Sequence, residues 1–234
     1  MPELFTFVGA IFGLSHHANP ETYKMVIYLT HMILSAVLAL VLVRSAMSNL
    51  QLVPKGSQNL MEAYIGGVLQ MGKDVMGSEE IARRYVPLIA TIGLFVAIAN
   101  LIGVIPGFEA PTAFLEFALT LALTVFVYYN YVGIKKQGII KYLKHFLGPV
   151  WWLYWLMFPI EIVSHFSRLV SLSFRLFGNV KGDDMFLMVI LMLAPWFLPM
   201  IPFALLTFMA LLQAFIFMML TTVYIGSAIA VEDH

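Results

Sequence analysis

The sequence predicts an all-α polytopic membrane protein: about five membrane-crossing helical elements plus interfacial helices, with two long tilted helices forming a C-terminal hairpin. Three observations predict it. Hydrophobic residues make up 61 % of the 234 and charged ones 11 %, whereas soluble domains carry roughly 25 % charged. Apolar runs long enough to cross hydrocarbon recur along the chain. Lysine and arginine gather in two of the connections between those runs and are absent from two others. The whole of 1–234 therefore reads as a single integral membrane domain. Thirteen basic and thirteen acidic residues cancel, so bulk charge implies no nucleic-acid partner. With no cysteine, disulfides, thiolate catalysis and cysteine-based metal sites are excluded. No H-E-x-x-H, G-x-S-x-G or Walker sequence is present, which leaves no recognisable enzyme motif and no cofactor to expect.

Residues 1–22 hold one apolar run, Leu4 to Leu14, too short to span and expected at the interface. The first cation is Lys24, so these residues lack the basic leader of a secretory signal. His16 and His17 point different ways on a helix and have no third ligand nearby, which disfavours a metal site. Residues 25–43 form the first span. Its lone imidazole, His31, serves either a proton path or simple hydrogen-bonded packing, and packing is the expected role. Arg44 ends the span. After a Pro-Lys-Gly turn, Ser57 is the expected N-cap of an interfacial amphipathic helix over 57–76. There Leu60, Met61, Tyr64, Ile65, Val68 and Leu69 make one apolar stripe, while Glu62, Lys73 and Asp74 face water.

Residues 86–105 and 112–131 are the second and third spans, joined by a Pro106–Pro111 reversal, with Glu116 one turn inside the third. A basic connection follows, with Lys135, Lys136, Lys141, Lys144 and His145. An aromatic cluster from Trp151 to Trp155 then marks an interface. Helix 150–193 would run roughly 66 Å against a hydrocarbon core of about 30 Å, so it must tilt or lie partly in plane. The prolines at 195, 199 and 202 break it, and 203–230 forms the last helix of an antiparallel hairpin.

Within the first of these long helices, Ser164 to Asp184 is anomalous. It holds Arg168, Arg175, Lys181, Asp183 and Asp184 in the most apolar half of the chain. A charge at bilayer depth costs at least ~2.5–3.5 kcal/mol, and arginine cannot shed its proton to escape. At about 100° per residue, Arg168, Ser171, Arg175 and Asn179 share one face. Asp184 points to the opposite face and Asp183 to the side. Arg175 has no carboxylate at i+3 or i+4. It therefore snorkels, pairs with another span, or pairs with another protein.

The segment Ser171-Leu172-Ser173-Phe174-Arg175-Leu176-Phe177-Gly178-Asn179 resembles the S-L-x-x-R-L-F-G-N signature of subunit a of F-type ATP synthases, and Leu212 to Thr221 resembles that family's second signature. The likeness runs from about Tyr23 to the C-terminus. It implies the stator subunit of the membrane Fo sector, in which two offset half-channels carry protons to and from carboxylates on a rotating c-subunit ring. It further implies that Arg175 separates the half-channels and promotes deprotonation, with Asn179 and Gln213 as polar helpers. The implied partners are the c-ring, peripheral-stalk b subunits and the lipid bilayer, in a bacterial inner membrane. Nucleotide chemistry would then lie on other chains.

Three positions depart from the family pattern. Where subunit a commonly reads P-[ST]-A-D-x-N, this chain places Phe114 at the aspartate position and Glu116 at the asparagine position. Leu206, seven residues before Gln213, stands where the family often has an ionisable group. Asp184 matches a family position for Glu or His. The expected outer path thus draws on Glu116, Asp183 and Asp184, with Glu116 replacing the missing groups; Lys181 pairing Asp183 is the structural alternative. On the inner side, Glu161, His165 and Arg168 form either an exit path or an intrahelical polar seam near the headgroups.

Residues 44–84 carry Arg44, Lys55, Lys73, Arg83 and Arg84, whereas the turns at 106–111 and 194–202 carry no cation. The positive-inside rule then predicts five crossings, the N-terminus outside and the C-terminus cytoplasmic. The alternative function is a stand-alone ion-coupled secondary transporter, but the internal repeat common in that class is not seen.

Overall fold

A computed structural model describes residues 20–48, 50–138, 142, 152, 154–193 and 199–229. The Leu4–Leu14 segment, the His16-His17 pair and the cations Lys141, Lys144 and His145 lie outside the described residues, as do Trp151, Leu153 and residues 194–198. The architecture is all-helical: α1 Pro20–Met47, α2 Ser57–Met76, α3 Glu79–Val104, a 3-10 turn Pro111–Ala113, α4 Leu115–Gln137, α5 Tyr154–Leu193 and α6 Met200–Ile229.

Of these, α1, α3, α4 and α6 are long and apolar enough to cross a membrane. The 40-residue α5 is not among them, because Glu161, Arg168, Arg175, Lys181, Asp183 and Asp184 interrupt it. As helix it measures about 60 Å, twice the hydrocarbon thickness.

The helix ends correct several expectations. Ser57 is not the cap of α2. Gly56 is, at φ +58°, a left-handed backbone conformation that glycine adopts without strain, and the Ser57 hydroxyl donates instead to the Ser45 carbonyl (3.3 Å). Only part of the predicted α2 stripe is inward: Val68 is buried, while Leu60 and Ile65 are exposed. The third span starts at Leu115 rather than Thr112, because residues 111–113 make a 3-10 turn that buries Thr112. Glu116 therefore sits in the first turn of α4, exposed and near the positive end of the helix dipole. Pro202 lies inside the first turn of α6, where a missing N–H costs nothing; it does not break the helix.

The core joins α3, α4, α5 and α6, with Ile89, Val96, Val125, Leu172, Leu176, Phe217 and Ile225 at its centre, and Val68 of α2 packs against it. In lipid such helices are held by close packing and hydrogen bonds rather than by expulsion of water. Close packing needs small residues at crossings. A side chain on Gly93 would collide with Met218 and Tyr64, and the backbone nitrogen of Ala110 would lie 2.9 Å from a Cβ on Gly103. The Tyr64 hydroxyl pins α2 to α3 by donating to the Ala90 carbonyl (2.8 Å). Thr221 and Thr222 bond back to carbonyls four residues earlier at 2.8 Å, which satisfies these hydroxyls within the apolar helix.

His31 is a packing residue by its contacts. It is fully buried, its Nδ1 lies 2.8 Å from the Ile27 carbonyl, and its Nε2 accepts from the Glu109 N–H at 3.3 Å. A carbonyl on one nitrogen and an N–H on the other select the neutral Nδ1–H tautomer.

Candidate functional site

Two polar cavities flank the middle of α5, one toward each end. The first lies among α3, α5 and α6, with a volume of about 30 Å³ and a lining that includes Asn100, Asn179, Asp183, Asp184, Leu206 and Gln213. That is room for about one water. Asn179 Nδ2 donates to Gln213 Oε1 at 2.7 Å. Gln213 is 2 % exposed, its Nε2 has no hydrogen-bond partner among the described residues, and it lines the cavity together with Asn179. Opposite it, Asn100 Oδ1 accepts from the Thr112 hydroxyl at 2.6 Å, and its Nδ2 donates to the Ala210 carbonyl at 3.3 Å.

Asp183 and Asp184 bring the carboxylates to this cavity. Lys181 pairs with Asp184 (3.9 Å), not with Asp183, since three residues of helix bring side chains closer than two. The Lys181 ammonium also lies 6.0 Å from the Phe114 ring centroid. Phe114, at the position expected to carry an aspartate, thus steadies the lysine through its ring face. Leu206 is on the cavity wall, so the ionisable group absent from α6 is absent from this cavity. Glu116 is not brought here. It lines a separate open groove of about 520 Å³ with Lys24, Glu109, Phe114 and Lys181. Lys181 borders that groove and reaches Asp184, so it stands between the groove and the cavity.

The second cavity, about 40 Å³, is lined by Tyr129, Gln137, Tyr142, Glu161, His165 and Arg168, with Ser227 and Ala228 of α6. His165 Nδ1 is 2.9 Å from the Tyr129 hydroxyl and its Nε2 is 3.6 Å from Glu161. The Arg168 guanidinium lies 5.5 Å from the centroid of the Tyr224 ring. The intrahelical seam is therefore only half of the arrangement: His165 is buried and binds across to α4, while Arg168 turns onto α6.

Between the cavities the interior is dry. Leu172, Leu176, Ala214 and Phe217 are each at most 2 % exposed and belong to the apolar core. From Arg168 to Asn179 this stretch of α5 spans about 16 Å.

Arg175 sits outside that dry layer. It is exposed on a stripe with Val170, Ser171, Phe174 and Gly178. Among the described residues it has no ion pair. The common face expected for Arg168, Ser171, Arg175 and Asn179 splits, because a few tens of degrees decide each side chain's direction. Arg168 and Asn179 commit to α6, while Ser171 and Arg175 stay outward. Gly178, one turn from Arg175, opens onto empty space, with nothing within 4 Å of where a Cβ would stand. Among the described residues no group of three His, Cys, Asp or Glu side chains is placed to hold a metal.

Asn100 and Tyr129 were not singled out from the sequence. Each is a polar side chain within a predicted apolar span, and that is the signal that could have found them.

The chain is similar in sequence to known proteins along nearly its whole length. The ATP synthase A chain family matches residues 26–226. The chain is 77 % identical over 234 residues to the ATP synthase subunit a of Sulfurimonas denitrificans, covering all of both chains. It is 60 % identical over 235 residues to that of Campylobacter fetus subsp. fetus, again covering all of both chains. The figure is 56 % over 231 residues for that of Helicobacter hepaticus, covering 99 % of this chain and 98 % of the relative. With the apolar helices and the arginine-bearing motif, this makes the chain an integral membrane protein that belongs to the ATP synthase A chain family, the subunit a of F-type ATP synthases.

Proposed function

We propose that this chain is the non-catalytic, proton-conducting stator subunit of Fo, with its two polar cavities as the inner ends of offset half-channels. The observation that carries the reading is the placement of Arg175: exposed, without a carboxylate partner among the described residues, and level with the dry layer between the cavities. Among the described residues, buried apolar side chains separate the cavities and leave a proton in one no internal route to the other. It must leave the chain, ride on a carrier past Arg175, and return. The carboxylates of a c-subunit ring seated on the outer stripe of α5 and the neighbouring face of α6 are that carrier. Other surfaces meet the peripheral-stalk b subunits and the bilayer.

Electrostatics gives each group a task. A fixed cation near a carboxylate favours its ionised form. A rotor carboxylate reaching Arg175 therefore loses its proton toward the Glu161–His165 cavity, and one moving away is reprotonated from the Asp183–Asp184 side. Asn179 and Gln213 hold water at the mouth of that second path, and Ser171 faces the rotor beside Arg175. Glu116 lies in the outer groove, upstream of Lys181. The same cation repels a proton crossing unaccompanied. The membrane potential supplies ~2.3 kcal/mol per charge per 100 mV to drive the cycle. With basic connections in the cytoplasm of a bacterial cell, the Asp183–Asp184 cavity opens outward, the N-terminus is outside and the C-terminus inside.

Arg175→Ala tests this in the assembled complex. ATP-driven proton pumping into inverted vesicles is expected to vanish while the complex still assembles. Arg175→Lys is expected to restore little, since lysine can lose its charge and lacks the planar fork. Pumping retained by the alanine variant would overturn the reading.

A further inference from the structure

Away from both cavities, a surface depression of about 770 Å³ opens between the start of α3 and the end of α4. Arg84, Lys135 and Lys136 face it against one carboxylate, Glu80, and Tyr85, Tyr128 and Tyr131 line its sides. Among the described residues none of the three cations has an ion pair. The neighbouring Arg83, by contrast, is taken up by Glu79 at 2.8 Å. The Lys135 ammonium stands 5.7 Å from the Tyr131 ring centroid.

What lies below the cations indicates the ligand. Leu123, Val127 and Tyr131 are exposed at intervals of four residues, and Lys135 follows at the next step, on a path that winds about 40° around α4 per step. From Leu123 to Lys135 the helix rises about 18 Å, close to the roughly 15 Å of one leaflet of hydrocarbon. Cations therefore crown an apolar track one acyl chain long, at the level where tyrosines mark the membrane surface. A soluble anion would use the cations alone, and a zwitterionic lipid would bring its own ammonium to compete for the phosphate.

We infer that the α3–α4 depression is a binding site for an anionic phospholipid, its phosphodiester held by Arg84, Lys135 and Lys136 and its acyl chain laid on the Leu123–Val127–Tyr131 stripe. Each cation at a membrane surface favours an anionic headgroup, and losing one is expected to lower the preference roughly fivefold.

The test uses the whole ATP synthase in phosphatidylcholine nanodiscs containing trace photoreactive phosphatidylglycerol or, in parallel, photoreactive phosphatidylcholine, with labelled peptides read by mass spectrometry. Phosphatidylglycerol is expected to label peptides spanning Tyr128–Lys136, and phosphatidylcholine is not. Unlabelled phosphatidylglycerol should compete, and millimolar inorganic phosphate should not. Combining R84Q, K135Q and K136Q should abolish labelling, K135R/K136R should keep it, and Lys55→Gln, outside the depression, should leave it unchanged. Equal labelling by both lipids, competition by inorganic phosphate, or crosslinking of this segment to another polypeptide in place of lipid would each overturn the assignment. The comparison of the two lipids on the unaltered complex decides it even if a variant fails to assemble.

Discussion

The bond between Asn179 and Gln213 separates two roles that the same pair of amides could play. Helix–helix hydrogen bonds in membranes are worth on average about 0.6 and at most about 1.7 kcal/mol. The 2.7 Å contact lies in a nearly dry site and belongs toward the upper end. Asn179→Leu removes one partner and leaves Gln213, 2 % exposed, with both amide atoms unpaired; that costs about 1–3 kcal/mol. Gln213→Leu strands the less buried Asn179, which borders the cavity, so its cost is expected to be smaller. The double variant puts two apolar side chains together and should recover most of the lost stability. Thermal dissociation of the solubilised complex measures that cycle. Proton pumping, followed by quenching of a pH-sensitive dye, measures the other role. If the amides hold channel water, the double variant regains stability and stays impaired in pumping. Full pumping in the double variant would show that the pair is only helix–helix glue. A coupling energy near zero would show that the bond itself contributes nothing.

Three further outcomes follow from the geometry. Leu176→Ala removes a side chain from the dry layer and should let protons cross without rotation: passive proton flux through Fo stripped of its catalytic head should rise, and unchanged flux would mean that the layer is not the barrier. Asp184→Asn should slow ATP synthesis by roughly tenfold or more, as loss of a proton-transfer group does, whereas Glu116→Gln, in an open groove behind Lys181, should slow it by much less; the reverse order, seen in synthesis rates of energised vesicles, would restore Glu116 as the principal inlet group. Gly103→Val should prevent stable assembly, because its Cβ would lie 2.9 Å from the backbone nitrogen of Ala110, which cannot turn aside as a side chain can; normal amounts of subunit on an immunoblot of the membranes would refute that close approach.

The elements were legible because apolar runs and prolines are local signals. So was the isolation of Arg175 along its own helix, since i+3 and i+4 neighbours can be read directly. What a linear reading could not supply were partners on other helices: Gln213 for Asn179, 34 residues away, Tyr129 for His165, 36 away, and Ala210 for Asn100, 110 away. Local periodicity carries no information at such separations. Smaller misreadings had local causes. Ser57 looked like a cap because serine often is one, but Gly56 before it could take the left-handed backbone that the turn required. Glu116 reads as one turn inside the span when the span starts at Thr112; beginning α4 at Leu115 moves it to an exposed first turn.

The departures from the family pattern make sense together. An ionisable group is missing at Leu206 and an aspartate is missing at Phe114, yet the cavity beside Leu206 still has two carboxylates, both from α5. Phe114 contributes instead through its ring, beside the ammonium that pairs with Asp184. The carboxylates of this cavity thus stand on the helix that also bears Arg175 rather than on the two neighbouring elements. From Arg175 to Asp184 is about 13 Å along that helix, too far for a direct pair but on the same rigid rod. The distance between the fixed cation and these carboxylates is then set by helix geometry rather than by the packing of separate helices. On the proposed function, such a site would tolerate small shifts of α3 and α4 while a rotor turned against α5, because the groups that must keep their spacing move together.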